Sequence, residues 1–324
     1  MLGPRTKHLV GFSWSSLIGK STLEISFSEW SPANFSLVAS KTYELQSSLA
    51  PHDIAITENA IIVLVNSLSL DTMSFLSGMQ GPAASLKMDG MAQVTAHIYP
   101  RPCATKTFEP FQVDVPPNFS IHFSHAYENE SNGNIVTYFS GWPPSNSKDF
   151  LGAWGGFAPE FQKISQTFLW KLEIDPKKKS SNLSVAPNSL NVCAEHPVIH
   201  PSYATKRAKN VFVVVSNLVG DSSAPCGYAN LRVEDNNDDG RPKEGSLFTG
   251  ERNDNVDAYF FGTRYFAGEP LVVPKNTNDE NPKEEEAYLL GVVFDAVKEK
   301  SFLAIFDLER DLKRGPVAKI WFRR

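Results

Sequence analysis

YLLGVVFDAVKEKSFLAIFDLERDLKRGPVAKIWFRR, residues 288–324, decides the fold class. Three runs rich in apolar, β-branched and aromatic residues (YLLGVVFD, SFLAIFDL and VAKIWFRR) are separated by two charged joins, AVKEK and ERDLKRG. Such runs have the length and composition of strands, and joins this short bring successive strands back antiparallel. The stretch predicts a three-stranded meander, the unit from which a propeller blade is built. Residues 8–43 (HLVGFSW, TLEISFSEW, FSLVASKTY) have the same look.

Between these ends, DIAIT, AIIVLVNSL, AQVTAHIY, FSIHFSHAY, NIVTYFSGW, FLWKLEI, NVFVVVSN, YFFGTRYF and PLVVP also read as strands, and no long amphipathic helix is evident. Many short strands at near-regular spacing mean a sandwich, a barrel or a propeller. The WD and kelch repeat signatures are absent. Loops are expected at 72–92, 142–164, 176–190, 234–257 and 275–286. The segment 234–257 has the composition of a calcium loop without its ligand spacing, so it reads as a polar turn. Segment 72–92 carries Met73, Phe75, Leu76, Met79 and Met91. Covering the core is its default role, and lining an apolar entrance is the alternative.

The bulk numbers narrow the function. Of 324 residues, 41% are hydrophobic and 21% charged, the balance of a soluble globular protein. A net charge of -5 argues against nucleic acid as a partner, and the run Lys177, Lys178, Lys179 beside Asp175 reads as a solvated turn. Cys103, Cys193 and Cys226 are odd in number and far apart, which fits a reducing compartment. Asn34, Asn118, Asn129 and Asn182 open N-x-S sequons, which matter only in a secreted chain. No run of 18 apolar residues is present, and the opening MLGPRTKHLVGFSW lacks the apolar core of a signal peptide.

Two histidines are the candidate chemical residues: His52 in PHDIAITEN (51–59) and His122 in IHFSHAYENE (121–130). A single His in a strand is by default a packed core residue. Period-two alternation places His122, Ser124 and Ala126 on one face of their strand, where small neighbours leave room for a metal or substrate. Ile121, Phe123, His125 and Tyr127 fall on the other face, so His122 and His125 are not expected to share an ion. His196 and His200 in EHPVIHP have i,i+4 spacing, but Pro197 and Pro201 deny the helix that would make them a ligand pair. Glu195 and Glu269 are acids beside prolines near strand starts, surface residues by default.

Taken in order, PHDIAITEN, IHFSHAYE, EHPVIHPSY and GEPLVVPK followed by YLLGVVFD resemble the carotenoid cleavage oxygenases, whose patterns run HDFAITE, HxxNAYE, EFPxINPxY and GEPxFVP. GPRTKHLVGF and GPVAKI extend the resemblance over nearly the whole chain. Each motif is weak alone, and their order makes the match specific. The resemblance implies an all-β, seven-bladed β-propeller with Fe(II) on its axis, held by four histidines and oriented by glutamates. It implies His52 and His122 as iron ligands, and Glu195 and Glu269 as acids that accept a proton from the outward ring nitrogen.

The implied reaction is cleavage of a conjugated C=C bond in a carotenoid or apocarotenoid by O2, giving two carbonyl products. An apolar polyene is the expected substrate, with peripheral membrane contact and a plastid or cytoplasmic location. Residues 1–324 are expected to form one propeller domain, incomplete at both ends. The pattern's T-x-H-P-K-x-D-P and G-x-H-G stretches, with the other two ligands, would fall before Gly3 and after the strand matched by PVAKI. His8 aligns within a strand and does not replace the first of them. His125, His196 and His200 stand where the pattern has Asn, Phe and Asn. A non-catalytic remnant binding an apolar ligand or protein, and a stilbene-cleaving enzyme, remain the alternatives.

Overall fold

The computed structural model describes residues 7–16, 20–47, 49–81, 84–145, 166–189, 192–216, 225–233, 256–277, 279 and 282–323. Segment 234–257 lies almost wholly outside them, and so does most of 142–164. The described residues form five successive antiparallel meanders. The first sheet holds β1 (Leu9–Ser15), β2 (Leu23–Trp30) and β3 (Leu37–Leu45). The second starts with β4 (Ala55–Ile56) and β5 (Ala60–Val65) and, after a small hairpin of β6 (Leu68–Leu70) and β7 (Leu86–Met88), continues with β8 (Val94–Pro100) and β9 (Phe111–Val115). The third contains β10 (Phe119–Glu128), β11 (Ile135–Trp142), β12 (Phe168–Asp175) and β13 (Ser180–Val185). The fourth contains β14 (Cys193–Val198), β15 (Asn210–Ser216), β16 (Gly227–Arg232) and β17 (Asp257–Phe260). The fifth contains β18 (Tyr265–Pro274), β19 (Ala287–Asp295), β20 (Lys300–Asp307) and β21 (Ala318–Trp321). Among the described residues the sheets do not close into a ring.

Alternation explains the burial. In β2, Leu23, Ile25, Phe27 and Glu29 point inward, and in β19 Ala287, Leu289, Gly291, Val293 and Asp295 do. The second, third and fourth sheets bury both faces, because each lies between two neighbours, whereas the first and fifth bury one. One core cluster joins the first and second sheets through Ile25, Phe27, Ile61, Val63 and Tyr99. A second joins Ile62, Ile98 and Val113 to Phe139, Trp170 and Leu172, and a third joins Tyr138 and Leu169 to Val211, Val213 and Leu231. A fourth joins Phe212, Val214 and Tyr228 to Leu289, Phe302 and Phe306. Burying each such side chain fully is worth about 1.5–3 kcal/mol, so these interfaces carry most of the stability.

Polar ties reinforce the same joins. Glu29, 0% exposed, receives Arg101 Nε at 3.1 Å and Nη2 at 2.9 Å, together with Cys103 N at 3.1 Å. Glu128 of β10 accepts from Thr57 Oγ1 at 2.7 Å and Asn59 N at 3.0 Å, which locks the β4–β5 turn to the third sheet.

Several expectations are corrected. Residues 176–190 contain β13, a strand whose polar Ser and Asn residues carry no hydrophobic alternation. β9, β14 and β16 were likewise not among the expected strands. In segment 72–92, Asp71 caps a five-residue helix, α1 (Thr72–Leu76). Leu86 and Met88 pack on the Phe119–Trp142 satellite core, but Met73, Leu76 and Met79 are exposed and cover nothing. Among the described residues, no helix is long and apolar enough to cross a membrane.

Candidate metal centre

The first strand of each later sheet carries the chemistry. β10 touches both β4 and β14, and β14 touches β18, so these first strands line up side by side. His52 immediately precedes β4, His122 is in β10, Glu195 and His196 are in β14, and Glu269 is in β18. Strand order thus brings together residues up to 217 positions apart in the chain.

Bulges aim the side chains. β10 pairs with β11 in register at Ser120 and again at His122, skipping Ile121, and a second shift skips Ser124. A bulged residue leaves its backbone groups outside the ladder, where side chains can reach them. The Ile121 carbonyl accepts His52 Nδ1 at 3.1 Å, and the neighbouring Phe123 N–H donates to Asp53 Oδ2 at 2.9 Å. Asp53 Oδ1 accepts Ile54 N–H at 2.8 Å. The bulges also overturn the expected face assignment: Phe123 and Ala126 belong to one core cluster, so strict alternation fails across Ser124. His125 is nevertheless kept away from His122, buried and stacked on Tyr138 at 5.1 Å.

β14 is bulged between Glu195 and Val198, with His196 at φ +47°, a left-handed conformation uncommon outside glycine. In a flat strand Glu195 and His196 would point to opposite faces; here donor atoms of His122, Glu195 and His196 all lie within 4.8 Å of one another. Glu195 Oε2 accepts His122 Nδ1 at 2.7 Å and the His196 backbone N–H at 3.0 Å. The His122 ring centroid is 4.9 Å from that of His52 and 4.4 Å from that of His196. His200, the other member of the i,i+4 pair, lies elsewhere and accepts Ser202 N–H at 3.3 Å as a 3-10 helix cap. Glu269 sits at a third bulge, between Ala267 and Pro270, exposed and close enough for its charge to act on His122 and His196.

The electrostatics follow from this packing. Burial disfavours the charged His122 ring, but the Glu195 hydrogen bond and the charges of Glu195, Asp53 and Glu269 outweigh it and raise its pKa. His196 is lowered, first by burial and then by the neighbouring His122 charge. Asp53 is raised by burial, which its two backbone donors offset only in part.

The donor set fits a divalent transition metal. The Nδ1 atoms of His52 and His122 are each engaged by an oxygen, which leaves Nε2 as the ligating nitrogen. Asp53 escaped the sequence reading, which weighed His196 as a partner of His200 and set the pair aside. Asp53 is signalled only by its adjacency to His52, and the reach of His196 depends on a bulge that spacing does not reveal.

The family model for RPE65, retinal pigment epithelial membrane protein, matches residues 2–324. Apocarotenoid-15,15'-oxygenase of Synechocystis sp. is 24% identical, covering 84% of this chain and 49% of that protein. The chloroplastic carotenoid cleavage dioxygenase 7 of Arabidopsis thaliana is 23% identical, covering 86% of this chain and 47% of that protein. The chain therefore spans about half the length of these relatives. Among solved structures, cobalt-substituted Synechocystis ACO superposes with a TM-score of 0.78 at 21% identity, covering 98% of this chain and 58% of that one. An ACO/RPE65 chimera gives the same TM-score and coverage at 21% identity. This likeness shows the fold, a β-propeller. With a family model matched over all but its first residue, the chain belongs to the RPE65 family, the carotenoid cleavage oxygenases.

Proposed function

We propose that the protein acts as a metal-dependent oxygenase that cleaves a conjugated C=C bond of a carotenoid or apocarotenoid. The observation that carries this reading is the pair His52 and His122, brought from two neighbouring first strands to a 4.9 Å ring separation with both outer nitrogens engaged. Fe(II) is the proposed metal, and when bound it supplies one-electron chemistry with O2. The overall reaction balances without another reductant: the C=C bond and the O–O bond break, and two C=O groups form.

The chain's own residues prepare that chemistry. Glu195 holds the His122 Nδ1 proton, fixes the tautomer and tightens the ring's orientation, and the Ile121 carbonyl does the same for His52. Glu269, whose charge reaches His122 and His196, belongs to the same oriented surround. A membrane-dissolved polyene would approach through exposed apolar surface, and Met73, Leu76 and Met79 on and beside α1 supply a candidate contact. A plastid location agrees with the chloroplastic relative. Residues 1–324 are read as one propeller domain.

The experiment is anaerobic loading of the chain with Fe(II), measurement of iron per chain, and exposure to O2 with β-apocarotenals or stilbenes in detergent. Carbonyl products from a polyene, dependent on iron and lost in His122→Ala, are expected. Stoichiometric iron with stilbene aldehydes alone would move the substrate class, and products independent of iron would overturn the reading.

A further inference from the structure

We infer that His8, Glu29 and Cys103 form a second metal site, which takes a thiophilic divalent cation such as Zn(II) at the joint between the first and second sheets. The site shares no residue with the His52–His122 centre and plays no part in the proposed reaction. His8 immediately precedes β1, Glu29 lies on the inward face of β2, and Cys103 follows β8. One ligand atom from each of the three side chains lies within 4.8 Å of the other two. Tetrahedral ligands on zinc, with bonds of about 2.0–2.3 Å, stand roughly 3.4–3.6 Å apart, so modest side-chain adjustment completes the set. The His8 Nδ1 and Glu29 Oε2 atoms, 3.1 Å apart, are already in that range.

The surroundings prepare Glu29 as a ligand. It is fully buried, and Arg101 Nε and the Cys103 N–H donate to Oε1 while Arg101 Nη2 donates to Oε2. Arg101 also donates through Nη1 to the Thr57 and Glu58 carbonyls at 3.2 Å, so it holds the carboxylate without depending on His8. The other approach to Oε2 is the one that His8 takes, and a metal placed there joins the two side chains. His8 and Cys103 are half-buried, which gives an ion a path from solvent and gives both side chains room to adjust.

The donor chemistry is that of zinc. Sulfur with imidazole selects a soft or borderline ion over magnesium or calcium. Burial and then the Glu29 charge raise the Cys103 thiol, which keeps its proton until a metal displaces it. Binding forms one bond each to nitrogen, oxygen and sulfur, releases the thiol proton to solvent and moves the His8 ring proton to Nε2. Thiolate and carboxylate then match the charge of the ion, and water fills the fourth position. The ligands are 21 and 74 positions apart in the chain, so no local spacing reveals them.

The test reads the metal–sulfur bond directly. The 324-residue chain, reduced and stripped of metal, is titrated with Co(II) while near-ultraviolet absorbance is recorded. Thiolate bound to cobalt gives an intense charge-transfer band, and the His52–His122 centre, which has no thiol, gives none. The band is expected to saturate at a single cobalt per chain, to bleach when Zn(II) is added, and to persist in His122→Ala and Cys193→Ser. It should vanish in Cys103→Ser, which keeps side-chain size and leaves the Arg101 pair in place. In His8→Ala it should need roughly tenfold or more cobalt, since losing a ligand costs at least as much as losing an orienting partner. Circular dichroism checks that both variants fold. No band in the wild type, a band that survives Cys103→Ser, or a titration unchanged by His8→Ala overturns the inference. None of these outcomes bears on the His52–His122 centre.

Discussion

At the scale of single residues, the most exacting pair in the molecule is Glu29 and Arg101, 0% and 1% exposed. Burial alone would raise the Glu29 pKa, but the Arg101 and Cys103 hydrogen bonds, the Arg101 charge and the His8 contact outweigh it and hold the pKa below the ordinary carboxylate value. Such a group stabilises the fold above its unfolded pKa, and the contribution is lost as pH falls through the lowered folded value. Glu29→Gln leaves the Arg101 charge buried and uncompensated, a loss of about 3–5 kcal/mol. Urea denaturation at pH 7 should show that loss. The gap between wild type and variant should narrow as the pH falls from 5 towards 3, and a gap that stays constant over that range would refute the account. The same scale shows what the sequence made legible. His52, His122, Glu195 and Glu269 could be named from motif order, because a motif preserves residue identity. Glu29 could not, because an acid on the inward face of an otherwise alternating strand meets its partner, Arg101, 72 positions away.

Alternation made long strands such as β2, β19 and β20 legible, whereas the polar β13 and the alternating but five-residue β9 were missed. The site was less legible, because it is made of departures from strand geometry. Bulges at Ile121, at Ser124, between Glu195 and Val198, and between Ala267 and Pro270 each re-aim a side chain or free a backbone group. Nothing in a period-two pattern marks them. Asp53 is the clamp on the first of these elements, since its carboxylate takes the Phe123 and Ile54 N–H groups together. Asp53→Ala removes both acceptors at once. Each amide left buried costs about 1–3 kcal/mol, and β10 should relax around His122. Cobalt affinity is expected to drop together with stability. Reduced stability with unaltered cobalt affinity would show that Asp53 holds the strand but not the ligand.

The whole molecule is a succession of sheets in which each large core cluster joins two consecutive neighbours. The meander of residues 288–324 revealed the repeating unit, and resemblance supplied the propeller, since a blade's sequence does not state how many blades follow. In such a nearest-neighbour stack, stability is a sum of sheet and interface contributions, so damage at one interface should stay local. Gly291 tests this directly. It lies in β19 against Tyr228 of β16, and a Cβ there would run into Tyr228 Oη and Cζ. The ring has little freedom to retreat, being fully buried, bonded through Oη to the Gly268 carbonyl at 3.1 Å and packed edge-on to Phe306 at 5.8 Å. Gly291→Ala should therefore cost about 1–3 kcal/mol by overpacking. Tyr228→Phe should rescue it only in part, because the contact with Cζ remains. Hydrogen exchange should show protection lost first in β18 to β21, while β5, β8, β11 and β12 stay protected. Equal loss in every sheet would mean that the five sheets unfold as one cooperative unit rather than as a stack of neighbours.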